Sequence, residues 1–349
     1  MLYIKYRPKT IAELDNSSVA LNLKQVLDSK IIPHAFLFIG QKGTGKTSAA
    51  RIFAKAVNCL NNKFAKKGES VEPCNICPHC LSITSSSFTD VLEIDAASNR
   101  GIEEIKNLIK ETAFLPMSGR YRVFIIDEAH MITQDGFNAL LKTLEEPPKT
   151  SIFILATTNP EKLPKTIISR CFKINFGKAH KKDIHIMINR ILTKEKVSLP
   201  YEVLDLIAQH GESSFRDSTK ILEEFIMQKI TTVEGAEKYL GIRGKNNILE
   251  LIEKSELKNS LSWINEFGES GGNFKSLIED LLERLRIVLL SKKGLKLDDV
   301  EDSSLSISET MLLIKLLMEA YKNLKISPIE SLPLEIAIVE FYNQRVNKK

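Results

Sequence analysis

No run of apolar residues in this 349-residue chain approaches the roughly 20 that a membrane-spanning helix requires. The opening residues, Met1-Leu-Tyr-Ile-Lys-Tyr-Arg-Pro, lack the apolar stretch of a secretion signal. These two absences argue against a membrane or exported protein and leave a soluble, cytoplasmic one as the expectation. Charge of one sign is not in excess either: 49 Lys and Arg face 44 Asp and Glu, a net +5. That balance permits a nucleic-acid partner without arguing for one. Cysteine is scarce and odd in number, five in all, which speaks against a disulfide framework. There is no internal repeat and no long low-complexity tract. What is present is a 43% hydrophobic chain, long enough for two or three packed domains.

The first half alternates short apolar runs with helical patterns. Ala35-Phe-Leu-Phe-Ile39, Val123-Phe-Ile-Ile126 and Ile152-Phe-Ile-Leu-Ala156 read as buried strands, with Val91-Leu-Glu-Ile94 a fourth. Strand–helix alternation implies an α/β fold, a parallel sheet covered by helices on both faces. After about Phe176 only helical patterns follow, at 181–195, 200–210, 218–229, 247–254, 277–290, 308–323 and 334–342. Gly241-Ile-Arg-Gly244 reads as a linker, and Gly271-Gly272 separates two helices.

The densest signal is Gly40, Gln41, Lys42, Gly43, Thr44, Gly45, Lys46 and Thr47, which fits G-x4-G-K-T between a strand and a helical pattern. In such a loop the glycines let successive N–H groups turn inward towards phosphate oxygens, and the helix N-terminus adds partial positive charge. Lys46 would reach the β- and γ-phosphates of ATP, and the Thr47 hydroxyl would ligate magnesium. The plain alternative is a glycine-rich turn that binds nothing.

Val123-Phe-Ile-Ile-Asp127-Glu128-Ala-His130 ends an apolar strand in two carboxylates. Side chains alternate along a strand, so neighbouring acids serve different partners. Asp127 is expected to hold a magnesium-bound water and Glu128 to polarise the attacking water; phosphoryl transfer needs little beyond such placement of charge. Without a phosphate loop the pair would simply cap a strand. Thr157-Thr158-Asn159 closes the strand 152–156, where a polar side chain would face the γ-phosphate or merely form a turn before Pro160.

Cys59 and the run Cys74-Asn-Ile-Cys77-Pro-His-Cys80 bring four thiols close in sequence. Four thiolates form the closed tetrahedral set of structural zinc, and a polar stretch such as 60–73 has little else to hold it. An iron–sulfur cluster also uses tight C-x2-C-x2-C spacing, and free thiols remain open; His79 could stand in for one cysteine. Cys171 is expected in the core.

Together these segments resemble the gamma/tau family of bacterial DNA polymerase III subunits, the ATPases of the sliding-clamp loader. The resemblance runs from Tyr6-Arg-Pro-Lys9 to about Glu224. It is densest in Leu92-Glu-Ile-Asp-Ala-Ala-Ser98, Phe137-Asn-Ala-Leu-Leu-Lys-Thr-Leu-Glu-Glu-Pro-Pro148 and Ile168-Ser-Arg-Cys171. It implies a RecA-like AAA+ ATPase domain (1–177) with a zinc module at about 58–81. An all-α lid (178–242) and an all-α collar that joins subunits (243–349) would follow. It implies that Arg170 is an arginine finger acting on a neighbour's ATP and Thr158 the first phosphate sensor. Arg216, in Ser213-Ser-Phe-Arg-Asp217, would be the second sensor, with Tyr6, Arg7 and Pro8 near adenine. The four cysteines match the family's zinc module.

Implied partners are the delta and delta-prime subunits, further gamma/tau copies, the sliding clamp, the polymerase core, and primer-template DNA held through its backbone. Arg100 and Lys142 are candidate phosphate contacts. The chain departs from the family at Asp15-Asn16-Ser17, where Val-Gly-Gln is usual, and it ends at Lys349 without a polymerase- or helicase-binding tail, as a short form or a truncated chain would. Two rival readings are a non-catalytic scaffold subunit such as delta-prime, and another ATPase of the superfamily such as a Holliday-junction motor or replication initiator. The intact Lys46, Thr47, Asp127 and Glu128 oppose the first, and the cysteines the second.

Overall fold

The computed structural model describes residues 1–29, 31–98, 102–240, 245–254, 257–269, 271–295 and 303–346. Arg100 and the Gly241–Gly244 linker lie outside them. Contacts divide the chain into two compact units, Met1–Thr231 and Thr232–Lys349.

The first unit is built on a five-stranded parallel sheet: β1 (Ala35–Gly40), β2 (Val91–Asp95), β3 (Arg122–Asp127), β4 (Ser151–Thr157) and β5 (Phe172–Gly177), in the order β2-β3-β4-β1-β5. The three inner strands are apolar on both faces because helices cover both faces. Phe36, Phe38, Val123, Ile125, Ile152 and Ile154 point to one side, against α2 (Ser17–Asp28) and α3 (Lys46–Asn58). Leu37, Phe124, Ile126, Phe153 and Leu155 point to the other, towards α5 (Ile102–Thr112) and α6 (Gln134–Glu145). The strand β5 is not among the four expected from the sequence. It is an edge strand in which only Ile174 and Phe176 are buried, so its apolar content is thin and its signal is alternation alone.

Short helices complete the unit. These are α1 (Leu2–Lys5), α4 (Pro78–Thr84) in the cysteine segment and α7 (Lys165–Ile168) before Arg170. The longer α8 (Lys181–Glu195), α9 (Tyr201–His210) and α10 (Phe215–Met227) pack on one another through Met187, Ile188, Leu204, Leu222 and Phe225. These three helices of the expected lid fall within the first unit. The second unit is helical: α11 (Val233–Tyr239), α12 (Lys245–Glu253), α13 (Leu257–Glu269), α14 (Phe274–Lys292), α15 (Ile307–Asn323) and α16 (Leu332–Val346). Leu277, Leu281, Leu285, Leu313, Leu317, Ile338 and Phe341 form its core. A capping box of Ser306 and Glu309 starts α15. No helix among the described residues is long and apolar enough to cross a membrane.

Candidate functional site

The carboxyl ends of β1, β3 and β4 lie side by side, because register places Ile39 opposite Thr157 and Ile126 opposite Leu155. Ligands of parallel sheets bind at this edge. The loop after β1 turns into α3 through two glycines with left-handed backbone, Gly43 (φ 77°) and Gly45 (φ 95°), the latter capping the helix. Lys46 is buried and donates from Nζ to the carbonyls of Gly40 and Gln41, both at 2.8 Å. Burial pushes its ammonium below the ordinary lysine value, while Glu128 and Asp127 oppose that shift. Thr47 Oγ1 donates to Asp127 Oδ2 at 2.7 Å, so the hydroxyl and carboxylate expected around magnesium are already in contact.

Glu128 is not aimed by strand alternation. The strand ends at Asp127, and Glu128 sits in the left-handed region (φ 46°, ψ 46°), leading into a tight turn over Ala129–Met131. For a residue with a β-carbon that geometry costs about 1–2 kcal/mol, which the surroundings must offset. Its N–H donates to Asp127 Oδ1 at 2.9 Å, and its carboxylate accepts from Thr158 Oγ1 at 3.1 Å. Thr158 therefore meets the site through Glu128.

One cavity gathers Tyr6, Arg7, Pro8, the loop from Lys42 to Thr47, Asp127, Glu128 and Arg216. Arg7 donates to Ser48 Oγ at 2.8 Å, and burial, then the nearby Arg51, lowers its value. The N-terminus of α10 rests on the phosphate loop. Ser214 caps that helix through Asp217, the Arg216 N–H donates to Gly43 O at 3.4 Å, and the Arg216 guanidinium lies 5.3 Å from the centre of the Tyr3 ring. The cavity is also lined by the apolar Leu14, Val19, Phe176, Met187 and Ile191, side chains suited to a nucleobase.

The unusual segment Asp15-Asn16 lines the cavity too. Asn16 caps α2 by accepting from the Val19 N–H, and donates to Phe176 O at 2.9 Å. Asp15 pairs with Arg190 of α8 at 2.9 Å; burial nevertheless pushes its carboxyl up to about 6, against the pull of Arg190. Neither contact is visible in the sequence. Tyr3, Met187 and Ile191 were likewise not singled out there, whereas the Ser214–Asp217 cap follows a spacing that could have been read.

Arg170 does not line this cavity. It follows α7, one third exposed, with its guanidinium on Glu145 at the end of α6 and on Thr166 O at 2.8 Å. Lys142, the other candidate for DNA contact, lies on the same helix as Glu145.

The four cysteine sulfurs of Cys59, Cys74, Cys77 and Cys80 lie within 4.8 Å of one another. Backbone N–H groups point at them: Asn61 and Cys74 to Cys59, Cys77 to Cys74, and Cys80 to Cys77, at 3.3–3.4 Å. Such donors favour thiolate over thiol. For Cys74, burial acts upward, but the Ile76 and Cys77 N–H groups and adjoining sulfurs bring it down to about 6; burial raises Cys59 and Cys80. The donor set fits a four-coordinate soft metal such as zinc. His79 is no member of it: its Nδ1 is bonded to Asn58 O at 2.9 Å and its ring packs on Phe88. Cys171 is buried in the sheet core, which raises its thiol to about 11.

A family model described as DNA polymerase III, delta subunit, matches residues 16–180. The chain is 40% identical to the DNA polymerase III subunit tau of Bacillus subtilis, over 86% of this chain and 53% of that one. It is 32% identical to the subunit gamma of Buchnera aphidicola, over 97% and 95%, and 36% identical to the Escherichia coli subunit tau, over 83% and 46%. The chain thus spans about half the length of these tau relatives and nearly all of the gamma relative. Among solved structures, a RuvB Holliday junction branch migration motor of Thermotoga maritima aligns over 77% of this chain and 86% of its own, at 17% identity and a TM-score of 0.48. A DNA polymerase III gamma subunit-related protein from the same organism aligns over 94% and 99%, at 18% identity and 0.39. Neither likeness adds weight to the sheet order itself.

Proposed function

The chain belongs to the gamma/tau family of DNA polymerase III subunits, and from that premise we propose that it is an ATP-driven motor of a sliding-clamp loader. The observation that carries this reading is the convergence, in one cavity, of the phosphate loop, the Thr47–Asp127 contact, Glu128 and Arg216. The family model that matches is described as a delta subunit, which keeps a scaffold role in view; the full set of Lys46, Thr47, Asp127 and Glu128 favours the motor.

Bound magnesium would neutralise charge between the β- and γ-phosphates, with Thr47 and Asp127 to hold it. Lys46, now on loop carbonyls, would turn to the phosphates, and the apolar side chains of the cavity would take adenine. Glu128 orients the attacking water. Arg216 and Thr158 register the nucleotide from the lid and from β4. Arg170 serves a neighbouring subunit; its place outside its own chain's cavity suits action in trans. The division into ATPase domain, lid and collar at 1–177, 178–242 and 243–349 belongs to the same proposal, as does structural zinc on the four cysteines.

Differential binding then does the work. ATP draws subunits together and lets them grip an open clamp; primer-template DNA triggers hydrolysis, and hydrolysis releases the clamp. Delta, delta-prime, other gamma/tau copies and the polymerase core are the proposed partners.

The test is reconstitution with clamp and primed DNA. Lys46→Ala should abolish ATP turnover, and sustained turnover would sink the reading. Arg170→Ala should still bind ATP but lose about 10³-fold or more in hydrolysis within the assembled complex; normal rates would remove its role in trans.

A further inference from the structure

His130 is the polar side chain of the Asp127–His130 segment to which the motor reading assigns nothing. It is held too tightly to be incidental. Its side chain is 8% exposed, and both ring nitrogens are engaged. The Asn159 side-chain amide lies 3.5 Å from Nε2. Nδ1 shares a hydrogen bond with Thr157 Oγ1 at 3.1 Å and lies 3.4 Å from Glu128 Oε2. Thr158 donates to the same oxygen, Oε2, at 3.1 Å. Among the described residues no hydrogen bond reaches Oε1, and Glu128 lines the cavity.

Resting on the reading of Glu128 above, we propose that His130 is a positioning residue for ATP hydrolysis. With Thr158 it pins one oxygen of Glu128, so that the other is presented to the attacking water. The left-handed backbone of Glu128 makes such a restraint necessary, because the strand no longer directs the side chain. The same imidazole touches Thr157 and Asn159 at the end of β4. A shift of that strand end on nucleotide binding is therefore passed to Glu128 through the ring. Binding itself does not depend on His130, which is not among the residues lining the cavity.

The experiment compares His130→Ala, His130→Asn, Glu128→Gln and the double variant Glu128→Gln/His130→Ala in the assembled loader with primed DNA. Turnover and affinity for a fluorescent ATP analogue are both measured. His130→Ala should lower turnover by about 10- to 100-fold, the range for loss of a group that orients a reacting one, with affinity changed less than about twofold. Asparagine, whose amide N–H falls near the position of Nδ1, should recover most of the rate. In the Glu128→Gln background, removing the imidazole should cost nothing more, because the effect runs through the carboxylate.

Full turnover in His130→Ala, a parallel loss of affinity, or a further loss in the double variant would each overturn the proposal. Should the alanine variant not fold, His130→Asn must outpace His130→Gln, whose amide reaches the Nε2 position instead; equal rates would refute it. Glu128→Gln that turns over ATP at the unaltered rate would overturn this inference together with the role of Glu128 in the motor. A Glu128→Gln reduced to a low residual rate beside a fully active His130→Ala would overturn this inference alone.

Discussion

Two glycines of the phosphate loop look equivalent in sequence, and the structure separates them. Gly43 and Gly45 both have left-handed backbone, so alanine at either should cost about 1–2 kcal/mol. A Cβ on Gly45 meets nothing within 4 Å, whereas one on Gly43 would lie 1.9 Å from Ser214 Oγ, 3.0 Å from Ser214 Cβ and 3.3 Å from Arg216 Cβ. Ser214 must then move, and with it the cap of α10, in which its hydroxyl accepts the Asp217 N–H. Loss of that cap costs about 1 kcal/mol more. Gly43→Ala should therefore destabilise the nucleotide-free chain by roughly 2–3 kcal/mol and Gly45→Ala by only about 1–2 kcal/mol. At about 2–4 °C per kcal/mol for a unit of this size, Gly43→Ala should melt at least about 2–4 °C below Gly45→Ala. A melt by circular dichroism measures this directly. Because Ser214 is the main obstruction, a Gly43→Ala/Ser214→Gly double variant should regain part of the loss. Equal melting of the two alanine variants would refute the claim that the lid rests on Gly43.

Purified protein should contain about one zinc per chain, and chelation should expose the 60–73 stretch to protease; finding iron or no metal would reject the zinc reading. Asp15 should make the chain less stable as pH rises. Its folded value, about 6, lies above the ordinary 3.8, so the folded state prefers it protonated. Its contribution is full below about pH 4 and is lost as pH climbs through about 6. At about 1.4 kcal/mol per unit, Asp15→Asn should gain roughly 2 kcal/mol on wild type between pH 4 and pH 7; urea melts across that range showing a constant difference would contradict it.

Much of the site was legible because its chemistry is local. Gly40 to Thr47 is contiguous, and a strand before it and a helix after it leave the loop one way to turn. Asp127 and Glu128 close an apolar run, and four cysteines at tight spacing announce a metal set. Where the local pattern was weak, reading failed. The strand β5 buries only two side chains and escaped notice. Helix α2 starts at the unusual Asn16, and α13 was not anticipated.

By itself, then, the sequence determined where the glycine loop turns into α3, which residues can ligate metal and which segments form the inner sheet. Each of these follows from neighbours in the chain or from a period of two. Only the tertiary structure decided what those groups touch. Arg190 meets Asp15 across 175 positions, Ser214 settles over Gly43, Arg170 turns to Glu145, and His130 reaches both Glu128 and the end of β4. Such pairs arise because the parallel sheet brings separate strand ends to one edge and the start of α10 packs on the loop there. No local rule of propensity or spacing encodes a contact between residues that approach only when the chain has closed.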